Sequence, residues 1–131
     1  MSRLDSDEQY QELLLERERL CQILASETSF YAFVKLAWSQ IEGGNPYIDG
    51  WHIQVLCEHL EAAFRRQIRD LMIHMPPRCM KSSLIAVLWP AWVWIKAPHE
   101  QFLFASYANS LSLRDSVKCR RLISSPFYQN L

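Results

Sequence analysis

The chain has 131 residues, with 14 basic and 14 acidic side chains, half of its residues hydrophobic and 21% charged. That composition belongs to a folded chain rather than a disordered tail, and the length holds one domain at most. All three glycines (Gly43, Gly44, Gly50) fall within eight residues, which excludes a glycine-rich nucleotide loop of ordinary spelling.

The zero net charge conceals a polarity. Residues 1–62 carry 4 basic and 11 acidic side chains, a balance of −7; residues 63–131 carry 10 and 3, a balance of +7. Either the basic half meets a polyanion, or the two halves attract each other. Cys21, Cys57, Cys79 and Cys119 form no C-x-x-C pair and stand far apart, so neither a disulfide framework nor a zinc ribbon is expected. Reduced thiols fit a cytosolic compartment. His52, His59, His74 and His99 lack metal-ligand spacing. The N-terminus is acidic and has no apolar core, so no secretory signal is expected there. The most apolar run, residues 84–95, is interrupted by Pro90 and falls short of the roughly 20 residues of a membrane span.

Asp5 with Glu8 three residues later suggests a capping box. Leu13, Leu14, Leu20, Ile23 and Leu24 then recur at helical spacing to about residue 25, giving an N-terminal amphipathic helix over residues 1–27 with a solvated charged face. A second helix is expected over 29–41, with Phe30, Phe33, Val34, Ala37 and Ile41 as its apolar face. The Glu42-Gly43-Gly44-Asn45-Pro46 stretch ends it. A third helix follows over 51–67, striped by Ile53, Leu56, Leu60 and Phe64. Residues 71–75 are apolar on both faces and predict an inner strand, stopped by Pro76-Pro77. Ser82-Ser83 lead into a helix reaching residue 95, which Pro90 should kink or split for want of an N–H. Residues 102–107 predict a second strand. A last helix, capped by Asn109 or Ser110, runs to about residue 123. Strand, loop, helix, strand, helix implies a right-handed crossover and a parallel pair.

Met75-Pro76-Pro77-Arg78-Cys79-Met80-Lys81-Ser82 lies between predicted strand and predicted helix, where a phosphate loop would sit. Backbone N–H groups at a helix start point at phosphate oxygens, and the helix dipole favours an anion. Lys81 would then reach the β- and γ-phosphates and the Ser82 hydroxyl a magnesium ion. The usual pattern has glycine where Met75 and Met80 stand. A plain Pro-Pro connection with Lys81 on the surface is the alternative.

Residues 30–131 resemble the N-terminal ATPase region of the large terminase subunit of tailed bacteriophages. The similarity is carried by Gly50-Trp51-His52, by Pro76-Pro77-Arg78 with Lys81-Ser82, by Pro90-Ala91-Trp92, and by Ala105-Ser106-Tyr107 followed by Arg114 and Arg120-Arg121. That resemblance implies an α/β fold: N-terminal helices followed by the first βαβ unit of a P-loop NTPase, incomplete. It makes residues 28–131 the front portion of a DNA-packaging ATPase domain, working in the cytoplasm of a bacterial host. It implies ATP and Mg2+ as cofactors. Duplex DNA, a small terminase subunit and a portal protein become the partners, with no membrane, and oligomers form only where the full-length motor is made. Pro77, Arg78, Cys79, Met80, Lys81, Ser82 and Ser83 become the nucleotide loop, with Arg78 acting on the γ-phosphate and Ser82 holding Mg2+ through the nucleotide. Trp51, His52 and Gln54 fall in an adenine-contacting segment, although Trp51 also suits a helix-start core position. Trp89, Trp92 and Trp94 read as core. Cys79, beside Lys81, is a candidate reactive thiol.

Arg65, Arg66 and Arg69, or Arg114, Lys118 and Arg121, could touch DNA phosphates; a solvated helix face is the more common explanation and the favoured one. After Asp70 the only acidic residues are Glu100 and Asp115, and neither ends an apolar strand. The Walker B acids and a nuclease carboxylate cluster are therefore missing from the sequence, and ATP turnover by this chain alone is not expected. The alternative function is a non-catalytic interaction module that binds another packaging component or nucleic acid.

Overall fold

A computed structural model describes residues 3–131 of the chain, with side chains from residue 7 onward. Six α-helices and one π-helical segment make up its regular structure: α1 (Arg3–Thr28), α2 (Phe30–Ile41), α3 (Trp51–Phe64), the π segment (Ser83–Leu88), α4 (Trp89–Lys96), α5 (Asn109–Ile123) and α6 (Pro126–Gln129).

Helix α2 is the hub. Its apolar face, Phe30, Phe33, Val34 and Ala37, is fully buried, each large side chain worth about 1.5–3 kcal/mol of transfer free energy. It packs against α1, α3, α4, α5 and the π segment. Ser29 caps it, accepting from the Ala32 N–H, and the Phe30 N–H is taken by Glu61 Oε1 of α3 at 2.8 Å. Two donors that a helix start leaves free are thereby satisfied. Ile53, Leu56, Cys57 and Leu60 of α3, with Leu84, Val87, Leu88, Trp92, Cys119 and Leu122, complete the core. Trp92 is its centre, 5.5 Å from the Phe30 ring and 5.6 Å from Phe64.

The predicted strands are not formed. Residues 71–76 and 101–106 have neither helix nor ladder, and no strand exists among the described residues. The α/β expectation, with its parallel pair and βαβ unit, is corrected to an all-helical fold. Among the described residues neither segment gives or takes a backbone–backbone hydrogen bond. A strand is stable only when a neighbouring backbone satisfies its N–H and C=O groups, and two short segments are too few to do this for each other. Phe102 instead lays its ring edge-on to Trp89 and Trp94 of α4, at 5.4 and 5.5 Å.

Helix boundaries moved for local reasons. Helix α1 already begins at Arg3, so Asp5 lies within it, and the Asp5 side chain of the expected capping box is outside the described ones. Helix α3 stops at Phe64, three residues early. Arg66 takes a left-handed backbone (φ 61°), and its N–H and that of Gln67 turn back to the Ala63 and Ala62 carbonyls, the pairing of a Schellman stop. Helix α5 is preceded by Ala108, so neither Asn109 nor Ser110 is its cap. The helix around Pro90 is divided as expected: the wide π turn precedes it, and the Trp89 N–H bonds to the Leu84 carbonyl five residues back. Trp92 is buried, and Trp89 and Trp94 are half-buried against the core.

Candidate functional site

The loop at residues 77–80 turns the chain from residues 71–76 into the helix that opens at Lys81. Arg78 (φ 66°) and Met80 (φ 60°) both take the left-handed backbone, which costs an L side chain about 1–2 kcal/mol. Met80 is one of the two positions where the usual phosphate loop has glycine, and its backbone adopts the conformation glycine favours. Among the described residues the backbone N–H groups of residues 79–83 find no hydrogen-bond acceptor, and the first closing bond is Leu84 N–H to Met80 O at 2.9 Å. A run of free donors at a helix start suits an anion.

Lys81 and Ser82 line a cavity of about 670 Å³, a volume within the usual range for small-molecule sites. Trp94, Phe102 and Phe104 contribute aromatic lining, and Arg114, Asp115 and Arg120 of α5 line the same cavity. The Phe102 and Phe104 rings are stacked, 6.0 Å apart and 8° from parallel. Arg114 Nε donates to Asp115 Oδ1 at 2.9 Å, leaving Lys81 and Arg120 as cations without an ion pair among the described residues. Lys81 also lines a shallow cavity of about 360 Å³ beside Ile73, His74, Met75 and Pro76. Pro77, Arg78, Cys79, Met80 and Ser83 line neither cavity. Arg78 is exposed, and Cys79 Sγ points to the Pro77 carbonyl at 3.9 Å.

No protein-family model matches the chain, and no curated protein or solved structure is similar to it. The resemblance to terminases rests on the sequence motifs alone.

Trp51, His52 and Gln54 open α3 away from both Lys81 cavities. Trp51 is 80% exposed, so the core alternative for it is overturned. Its ring meets His52 edge-on at 6.2 Å, and Gln54 Nε2 donates to Glu58 Oε1 at 3.1 Å. A Cβ at Gly50 would stand 2.7 Å from the His52 ring, so a larger residue there would make that ring turn aside. Asp49 organises the approach: Tyr31 donates to it at 2.6 Å, Tyr47 at 3.1 Å and the Gly50 N–H at 2.9 Å, with Lys35 at 3.2 Å. These partners, the Tyr31 hydroxyl foremost, hold the Asp49 carboxyl down at about 2. Burial, then the Asp49 bond, pushes the Tyr47 hydroxyl up.

The basic clusters are largely paired. Arg65 bridges Glu61, Arg66 bridges Glu100 and Arg69 bridges Asp70, while Lys118 is joined to Glu42. No group of three His, Cys, Asp or Glu side chains among the described residues could hold a metal, and no described helix is long and apolar enough to cross a membrane. Two cavity residues escaped the sequence reading as ligand groups. Arg120 lies 39 positions from Lys81, and Asp115 does not end a strand; only the packing of α5 on the π segment puts them beside Lys81.

Proposed function

We propose that this chain is the nucleotide-binding front part of a terminase large subunit, a DNA-packaging motor, and that it binds ATP without turning it over. The observation that carries this is the loop. Two left-handed residues, Arg78 and Met80, precede a helix start whose N–H groups are free and whose Lys81 and Ser82 face a cavity. The order of Pro-Pro-Arg-x-x-Lys-Ser, Pro-Ala-Trp and Ala-Ser-Tyr along the chain supports it further.

In this reading the free N–H groups and Lys81 hold phosphate oxygens, and Arg120 adds positive charge across the cavity. The aromatic lining offers a flat apolar surface to a base. Ser82 offers one hydroxyl to Mg2+, which would screen the phosphate charge when bound; Asp115, the carboxylate of the same cavity, is already engaged by Arg114. Arg78 would act on the γ-phosphate only by swinging inward from its exposed position. Duplex DNA, a small terminase subunit and a portal protein are the partners such a motor would have.

Isothermal titration of the whole chain with Mg–ATP tests the proposal. Binding that drops about tenfold or more on Lys81→Ala, with no phosphate release above that variant, supports it. Equal binding by both chains, or none, overturns it.

A further inference from the structure

Helix α1 is 26 residues long, roughly 39 Å at 1.5 Å per residue, yet only its last two turns join the core. Ser26 is buried and Ile23 half-buried, whereas residues 7–22 are exposed at every position but Leu14. Tyr10, Leu13, Leu20 and Leu24 are each 51–67% exposed. They fall at alternating intervals of three and four residues, with Arg17 in the gap, which is the seam spacing of a coiled coil. Leu14 and Cys21 widen that seam on one side. Within one molecule nothing among the described residues covers it.

Charge identifies what would. Helix α1 carries seven acidic and three basic side chains. None of its described charged groups belongs to an ion pair, and the two bridges that join the acidic half of the chain to the basic half, Lys118–Glu42 and Arg65–Glu61, both lie outside α1. A second copy of α1 would set like charges side by side. The chain's own basic helix α5 has its apolar face spent on the core through Cys119 and Leu122. A polyanion would be repelled.

We propose that α1 is a docking arm for a basic amphipathic helix of another protein, which seats its apolar face along Tyr10, Leu13, Leu20 and Leu24 and its cations against the acidic flanks. The arm is independent of the loop at Lys81, and its test does not involve nucleotide.

The test uses the full chain and two synthetic heptad peptides of about 21 residues, both with leucine at the seam, one flanked by lysine and the other by glutamate. The lysine peptide is expected to bind, at least about tenfold more weakly when salt rises from about 50 to 500 mM. Leu13→Asp with Leu20→Asp should abolish that binding while the thermal unfolding of the chain stays unchanged, because both side chains already face solvent. Leu15→Asp, at an exposed site outside the seam, should leave binding intact. Failure to bind the lysine peptide, equal binding of both peptides, or binding that survives the double variant overturns the proposal. So does sedimentation showing a dimer of the chain that Leu13→Asp disperses, since a second copy would then be the occupant.

Discussion

The indole N–H of Trp92 donates to the main-chain carbonyl of Ser26 across 2.9 Å, with both residues buried. That bond fastens the end of α1 to the core helix α4, 66 positions away. Its donor is the same side chain that packs against Phe30 and Phe64. Trp92→Phe should leave the Ser26 carbonyl without its donor and open a small void, costing about 2–4 kcal/mol in urea unfolding. Hydrogen exchange at residues 23–28 should quicken before that of α2. Unchanged exchange there would mean that the bond does not hold the arm.

The strain at Arg78 separates stability from ligand binding. Its side chain is exposed while its backbone is left-handed. Arg78→Gly should therefore stabilise the chain by about 1 kcal/mol, or about 3 °C in Tm, while lowering Mg–ATP affinity. A lower Tm would contradict the stability half of this prediction; unchanged affinity would remove Arg78 from the proposed site.

Arg66 offers a cleaner measure of the same backbone term. Its left-handed position ends α3, and its guanidinium bridges Glu100 at 2.9 Å. In a Glu100→Gln background, where that bridge is gone, Arg66→Gly should raise stability by about 1 kcal/mol. In the natural background the gain should shrink, since an exposed bridge is worth about 0–1 kcal/mol. Chemical denaturation of the four variants reads both quantities.

Asp49 sets an acid limit. Its carboxyl is held at about 2, below the ordinary 3.8, first by the Tyr31 hydroxyl and then by Lys35, Tyr47 and the Gly50 N–H. A lowered native value means that stability is contributed fully above the ordinary carboxylate range and lost as pH falls through about 2. Asp49→Asn should flatten the stability profile between pH 4 and pH 2, and carboxyl NMR should find Asp49 titrating near 2. A native titration at the ordinary value would disprove the network.

The cysteines should divide by burial. Desolvation pushes the Cys57 thiol up to about 12 and the Cys119 thiol up to about 11, so neither forms thiolate near neutrality. At pH 8 a thiol reagent should label exposed Cys21 at once and Cys57 and Cys119 only on unfolding. Cys21 flanks the seam of α1, so bound lysine peptide should slow its labelling.

Much of this molecule is legible from its residues. The apolar spacing of Phe30, Phe33, Val34 and Ala37, and of Ile53, Leu56 and Leu60, marks two helices whose buried faces the structure reproduces. Pro90 marks the break in the next helix, and Ser82-Ser83 place its start one residue after the observed opening at Lys81. These features follow from periodicity and from the missing proline N–H, which are local properties of the chain.

Three features required the fold. Residues 71–75 and 102–107 have the composition of inner strands, but a strand exists only where another backbone satisfies its hydrogen-bonding groups, and none does so here. The joining of Lys81 to Arg114, Asp115 and Arg120 in one cavity depends on α5 packing against the π segment. The apolar spacing of α1 announces a helix but not its exposure: Leu13, Leu20 and Leu24 stand clear of the core because only the final turns, fixed at Ser26 by Trp92, reach it. Sequence determines helices, because each helix satisfies its own backbone; tertiary structure decides what depends on a second surface, namely pairing, cavities and which apolar face is left uncovered.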